Sequence, residues 1–143
     1  VIHVTVRGMS DGAAACAAAK AVVNSPLVKT AVYGNDPNVG RILGALGDFA
    51  GNHDIVLDPQ EVRITVGDEI VFTDGAFAID REKEIRLSEY LKSAALNPHL
   101  RGYPQHQRRV ELEITCGAGT GEGDAIGADL SDQYVRENAD YRT

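Results

Sequence analysis

Three segments of this chain alternate apolar and polar residues in period two, and they restrict the fold more than any other feature. Residues 2–7 set Ile2, Val4 and Val6 against His3, Thr5 and Arg7. Residues 62–66 read Val-Arg-Ile-Thr-Val, and residues 110–116 set Val110, Leu112 and Ile114 against Glu111, Glu113 and Thr115. β-Branched residues at every second position define strands with one buried face and one wet face. Glu69–Phe72 follows the tight turn Gly67-Asp68, so it pairs with residues 62–66 as a hairpin. Ala76 to Ile79 reads as a short return strand, and Ala125 to Leu130 as strand-like, forming a second hairpin with residues 110–116.

Helical stretches lie between them without alternating one for one. Residues 12–23 are mostly alanine, the strongest helix former, with Ser10 or Asp11 as N-cap. Ala15, Ala18, Ala19 and Val22 share a face whose small side chains let the helix lie close to a sheet. Asn24-Ser25-Pro26 ends it. Leu27–Tyr33 fits either a short helix or a short strand. Gly34-Asn35-Asp36-Pro37 is a turn by composition. Asn38 caps a helix from Val39 to about Phe49, with Ile42, Leu43 and Leu46 inward. Gly40, Gly44 and Gly47 fall on one side of it, which predicts close backbone approach there. Residues 50–60 read as a polar loop. Asp80 caps a helix to about Ala95, whose apolar side carries Ile85, Leu87, Tyr90, Leu91 and Ala94. Residues 97–107 form a loop with His99 and His106 at its surface. Ser131 or Asp132 caps one or two last helical turns. The order predicts an α+β fold, a two-layer sandwich of helices on a mixed or antiparallel sheet, with residues 1–143 as one domain.

Composition narrows the function. A net charge of −7 argues against phosphate backbones and anionic membranes as partners, hence no nucleic acid and no membrane. No apolar run approaches membrane-spanning length and no signal pattern opens the chain. Cys16 and Cys116 have no CxxC or Cys/His spacing for zinc, which fits a reduced, intracellular setting and no metal. His3 lies on the polar face of its strand, as a solvent-facing residue. The run Gly117 to Asp124 is GxGxG-like, but no helix pattern follows it as a phosphate cradle requires. It reads as a turn or bulge. The chain opens on Val1 directly in a strand, which reads as a piece cut out of something longer or one made by processing.

Two places could carry chemistry. Asp36, Asn38 and Arg41 surround a helix start, where an arginine beside free N–H groups suits a carboxylate and an aspartate could hold an amine. The alternative is purely structural: Asp36-Pro37 makes the turn, Asn38 caps, and Arg41 pairs with a surface carboxylate. The second place is the tail. Its Asn138 amide, Thr143 hydroxyl and terminal carboxylate could bind the charged ends of an amino acid. Both places are read as parts of one substrate site. No GxSxG serine, no Cys–His pair and no HExxH is present.

Ser25-Pro26-Leu27-Val28-Lys29-Thr30-Ala31, then Gly34 and Asp36-Pro37-Asn38-Val39-Gly40-Arg41, resembles the segment NSPLVKTA…G.DPNWGR of the ornithine acetyltransferases. That family is also called glutamate N-acetyltransferase, or ArgJ. Asp129-Leu130, Tyr134-Val135 and Asn138 to Thr143 resemble its C-terminus, CDL…YV..NADYTT. The two motifs stand in the right order and cover essentially the whole chain.

The resemblance implies a precursor that cleaves itself before a threonine, whose new N-terminal Thr takes acetyl from N-acetylornithine and passes it to glutamate. This chain would then be the C-terminal part of the β chain, without the nucleophile and thus with no catalytic residue of its own. Its partners would be the α chain and the rest of the β chain, as a heterotetramer of two α and two β in the cytoplasm. No cofactor is implied, although some members use acetyl-CoA as donor. Asn138 and Thr143 match the family's substrate-binding positions, and Asp36, Asn38 and Arg41 match its signature as site support. Val39 and Ile126 stand where the family has Trp, Ala128 stands where it has Cys, and the segment 95–109 is longer than usual. These departures motivate a rival expectation, a non-catalytic amino-acid-binding or assembly domain of the same fold. A hydrolase of the same self-cleaving architecture is a third.

Overall fold

The computed structural model of the chain describes residues 1–97, 99–101 and 108–140. Strand β1 (Ile2–Met9) is followed by three helices, α1 (Gly12–Asn24), α2 (Pro26–Tyr33) and α3 (Val39–Asn52). Then come β2 (Arg63–Val66), β3 (Glu69–Thr73), β4 (Ala76–Phe77), α4 (Arg81–Ser93), β5 (Val110–Thr115), β6 (Gly121–Gly127) and α5 (Asp132–Ala139). The strands form one six-stranded sheet in the order β4-β3-β2-β5-β1-β6. β1 runs parallel to β5 and the remaining pairs are antiparallel. The fold is α+β on a mixed sheet.

The period-two pattern sorts the two faces. Ile2, Val4 and Val6 stand in register with Val110, Leu112 and Ile114, and all six are buried together with Ile64 and Val66. Each such side chain contributes roughly 1.5–3 kcal/mol on full burial. Ala15, Ala18, Ala19 and Val22 of α1, Val28 of α2, Leu46 of α3 and Leu87 and Leu91 of α4 complete this core. Opposite lies a polar face of self-paired charges. His3 has Glu111 at Nδ1 (2.6 Å) and Asp124 at Nε2 (2.9 Å), while Arg7 contacts Glu113 and Glu122. His3 thus lies on the polar face as expected, held between two carboxylates.

Local chemistry sets the helix ends. Asp11, Asn38, Asp80 and Ser131 each accept an amide N–H of the first turn, from Ala14, Arg41, Lys83 and Tyr134. Leu27–Tyr33 is helical, begun by the Ser25 cap and by Pro26, whose missing N–H costs nothing at a first turn. Helix α3 runs on to Asn52, beyond the predicted end, because Phe49 and Ala50 are buried; His53 closes it through Nδ1 and the Phe49 carbonyl at 2.8 Å. In α4 the inward side carries Leu87, Leu91 and Ala94, whereas Ile85, expected inward, is 53% exposed. The helical period places Ile85 half a turn from Leu87. His99 is exposed, and His106 lies outside the described residues.

Two further expectations are corrected. Residues 110–116 and the strand after them do not pair with each other, because β1 lies between them. Moreover, only residues 117–120 of the glycine run form a turn, and the rest is strand: β6 starts at Gly121. Glycine is needed there because α1 rests on this strand. A Cβ at Gly121 would collide with the Asp11 carbonyl, and one at Gly123 would come within 2.5 Å of the Cys16 backbone nitrogen. The reverse holds on α3. Gly44 and Gly47, expected to sit under a neighbouring backbone, have nothing within 4 Å of a built Cβ.

The two environments predict opposite signs. Gly123→Ala should lower stability by about 1–3 kcal/mol through overpacking, whereas Gly44→Ala should raise it by roughly 0.5–1 kcal/mol through helix propensity. Denaturant unfolding of the two variants checks both signs.

Candidate functional site

The turn between α2 and α3 is built by local bonds. Asn35 takes a left-handed conformation (φ 55°), which asparagine tolerates. The Asp36 amide then donates to the Ala31 carbonyl at 2.9 Å. The Asn38 Oδ1 caps α3 at Arg41 N (3.3 Å), and its Nδ2 donates to Asp36 Oδ2 at 3.3 Å. The Arg41 Nη1 donates to the Leu27 carbonyl (3.0 Å) and to Thr30 Oγ1 (3.3 Å), tying α3 to α2. The arginine therefore joins a carbonyl and a hydroxyl, whereas the structural expectation gave it a surface carboxylate. Beneath the turn is an apolar cavity of about 20 Å³ bordered by Val28, Val66 and Leu112.

A groove of about 620 Å³ opens on the other side of Val32 and Leu91, which line both spaces. Its walls are the end of α2, the end of α4 and the connection from β6 to α5. Across it the Tyr33 Oη donates to Asp132 Oδ1 at 2.6 Å. No side chain of α5 is buried, so this bond is a principal tie between that helix and the body. The hydrogen bond to Asp132 raises the Tyr33 phenol above its usual range, and the carboxylate's charge adds to the shift. Asn138, on α5, donates through Nδ2 to the Tyr134 carbonyl at 2.8 Å, within its own helix. Thr143 lies outside the described residues.

The Tyr33–Asp132 bond thus links the end of α2 to the start of α5, whereas Asn138 is not among the residues that border the groove. Neither Tyr33 nor Asp132 was singled out from the sequence. Tyr33 falls inside the first motif as its last helical residue, and Asp132 was considered only as a cap. Of the departures, Val39 is buried at the start of α3, Ile126 is 58% exposed on the polar sheet face, and Ala128 borders the groove.

Among the described residues no group of three or more His, Cys, Asp or Glu side chains could hold a metal, and no helix is long and apolar enough to cross a membrane. Cys116 is buried, and desolvation pushes its thiol up to about 11, so it is a poor nucleophile near neutrality.

An open mixed sheet backed by helices, with a groove bordered by the ends of α2 and α4 and the start of α5, defines an α+β fold. Comparison with known proteins makes this specific: the ArgJ family model matches residues 1–143, and the chain belongs to that family. It is 36% identical over 143 residues to "Arginine biosynthesis bifunctional protein ArgJ" of Prochlorococcus marinus (strain NATL2A), covering all of this chain and 31% of that protein. It is 41% identical over 144 residues to the chloroplastic ArgJ of Populus trichocarpa, covering 27% of it. The crystal structure of ArgJ from Bacillus halodurans superposes with a TM-score of 0.79 at 30% identity, over 98% of this chain and 57% of that one. The chain spans about a third of the length of the curated relatives it matches.

Two outcomes test this geometry. The Tyr33–Asp132 bond is intact below the ordinary phenol range and is lost as pH rises through the raised value. A phenolate absorbance titration, wild type minus Tyr33→Phe, should show one tyrosine ionising above the usual pH of about 10. The same variant should speed amide exchange along α5. Separately, iodoacetamide at pH 8 should leave Cys116 unmodified by peptide mass mapping, with labelling rising only as pH approaches 11.

Proposed function

We propose that this chain is the C-terminal part of the β chain of an ornithine acetyltransferase. The whole enzyme moves acetyl from N-acetylornithine to glutamate, and this part supplies one wall of the amino-acid pocket. The observation that carries it is similarity to ArgJ proteins over the whole of this chain, both motifs included. The names of those relatives place them in arginine biosynthesis. This chain spans 31% of the Prochlorococcus protein but 57% of the solved Bacillus chain, so the solved chain is roughly half as long as that relative. That ratio supports a protein divided into two chains.

In this scheme the upstream threonine hydroxyl adds to the acetyl carbonyl of N-acetylornithine. The tetrahedral intermediate collapses with loss of the ornithine amine, which takes up a proton, and an acetyl-threonine ester remains. The glutamate amine then attacks the ester, and threonine regains its proton as N-acetylglutamate leaves. Oxyanion donors come from the α chain. Asn138 and Thr143 hold the charged groups of the amino-acid substrate, and Asp36, Asn38 and Arg41 shape the supporting turn. The enzyme would work in the cytoplasm as a heterotetramer of two α and two β chains. It needs no cofactor, and acetyl-CoA serves as an additional donor in bifunctional members.

The test uses the full-length protein. It should cleave itself, convert N-acetylornithine and glutamate to ornithine and N-acetylglutamate, and show ping-pong kinetics. Asn138→Ala, or deletion of Thr143, should raise KM for N-acetylornithine about tenfold, the order expected for one charge-assisted hydrogen bond, while leaving self-cleavage intact. Self-cleavage without acetyl transfer would favour the non-catalytic binding domain instead.

A further inference from the structure

Helix α5 is held unlike the other helices. None of its side chains is buried, and Tyr134 and Val135 remain exposed. Among the described residues, the bond from Tyr33 Oη to Asp132 Oδ1 at 2.6 Å is the one side-chain hydrogen bond or ion pair between α5 and another element. The others stay local. Gln133 Nε2 donates to Glu137 Oε1 at 3.0 Å, Arg136 Nη2 lies 3.9 Å from Asp132 Oδ2, and Ser131 caps the helix. Asn138 belongs to this local set: its Nδ2 is fixed to the Tyr134 carbonyl, so the side chain follows its helix. Both ends of the tie are well seated. Tyr33 ends α2, which is anchored by buried Val28 and Ala31 and held to α3 by Arg41 at Leu27 and Thr30. Asp132 begins α5, where the free N–H groups of a helix start favour a carboxylate. Its Oδ1 reaches out to α2 while its Oδ2 faces Arg136 one turn further on.

Resting on the reading that Asn138 holds a charged group of the amino-acid substrate, we infer that Tyr33 and Asp132 are positioning residues for that site. Their bond fixes the direction of α5, and α5 carries Asn138 to the substrate. From Asp132 to Asn138 a helix rises roughly 9 Å, so a tilt of about 10° at its start displaces the amide by about 1.5 Å. Misplacement by about 1 Å is enough to cost a productive contact. The tie lies at the near end of this lever, and one hydrogen bond thereby sets the place of a group nearly two turns away. Neither residue needs to touch the substrate, since the phenol proton is already given to Asp132.

The experiment is made on the full-length protein. It is titrated by calorimetry with ornithine, which keeps the carboxylate of N-acetylornithine and cannot donate acetyl, and it is assayed for acetyl transfer. Tyr33→Phe should weaken ornithine binding and raise KM for N-acetylornithine about fivefold. Its kcat should stay within about twofold, because the contact serves substrate and transition state alike. In the Asn138→Ala background the same change should move either constant by less than about twofold, since its effect passes through an amide that is gone. Asp132→Ala should behave as Tyr33→Phe does, and Asp132→Asn, which keeps an oxygen for the phenol, should restore most of the loss. Unchanged Kd and KM in Tyr33→Phe would overturn the inference. So would an equal effect that persists without Asn138, which would make the bond a structural tie only. Ornithine binding with this coupling but no acetyl transfer refutes the proposed activity and keeps the inference, and transfer without the coupling does the reverse. Absence of both binding and transfer refutes both.

Discussion

The closeness of α1 to β6 is the contact on which the rest of the structure depends. A helix of alanines lies on a strand whose inward positions are Gly121, Gly123, Ala125 and Gly127. With almost no side chains between them, backbone meets backbone. The gain is dispersion at short range, and the cost is the conformational freedom that glycine gives up in a strand. This contact holds β6 against β1, although β6 is a sheet edge with a hydrogen-bonded neighbour on one side only. β6 in turn sets where the connection to α5 departs, and therefore where the groove opens. The same economy recurs at the turn after β5. Gly8, at φ +84°, lies against the backbone of Gly117, so the chain crosses the end of β1 with no room for a Cβ.

The opposite sheet face is stabilised differently. Its histidine, arginines and carboxylates pair with one another in a strip from Arg109 through Glu111 and His3 to Asp124. Exposed pairs of this kind contribute little to stability individually. Their effect is rather to keep the face wet and its charges occupied, in a chain whose net charge is −7. Asp129 and Asp132 add further negative charge at the groove.

What could be read from the sequence is what is decided locally. The alternation of Ile2, Val4 and Val6, the caps of α3 by Asn38 and of α4 by Asp80, and the buried side of α1 each involve residues within a turn or two of one another. The order of the strands was hidden, because nothing near Val110 or Gly121 tells either segment that β1 will lie between them. The glycines illustrate this well. Those of β6 and those of α3 look alike as letters, yet one set is pressed against a helix and the other faces open space. Tyr33 and Asp132, 99 residues apart, meet only once α2 and α5 are placed. For the site, the motifs at residues 25–41 and 129–143 carried the family, while the local pattern of Asp36, Asn38 and Arg41 carried only their bonds to the α2–α3 turn.

The pairing of β1 with β5 and β6 also bears on how the molecule is made. The first strand is completed by partners more than 100 residues further along the chain. Contacts of such long sequence separation are slow to form, since the intervening loop must close before they return any stability. During synthesis Ile2, Val4 and Val6 therefore stay without their sheet partners until Val110–Thr115 has left the ribosome. Helices α1 to α4, made in between, are local and can form earlier, so α1 can pack on that apolar strand before β5 arrives.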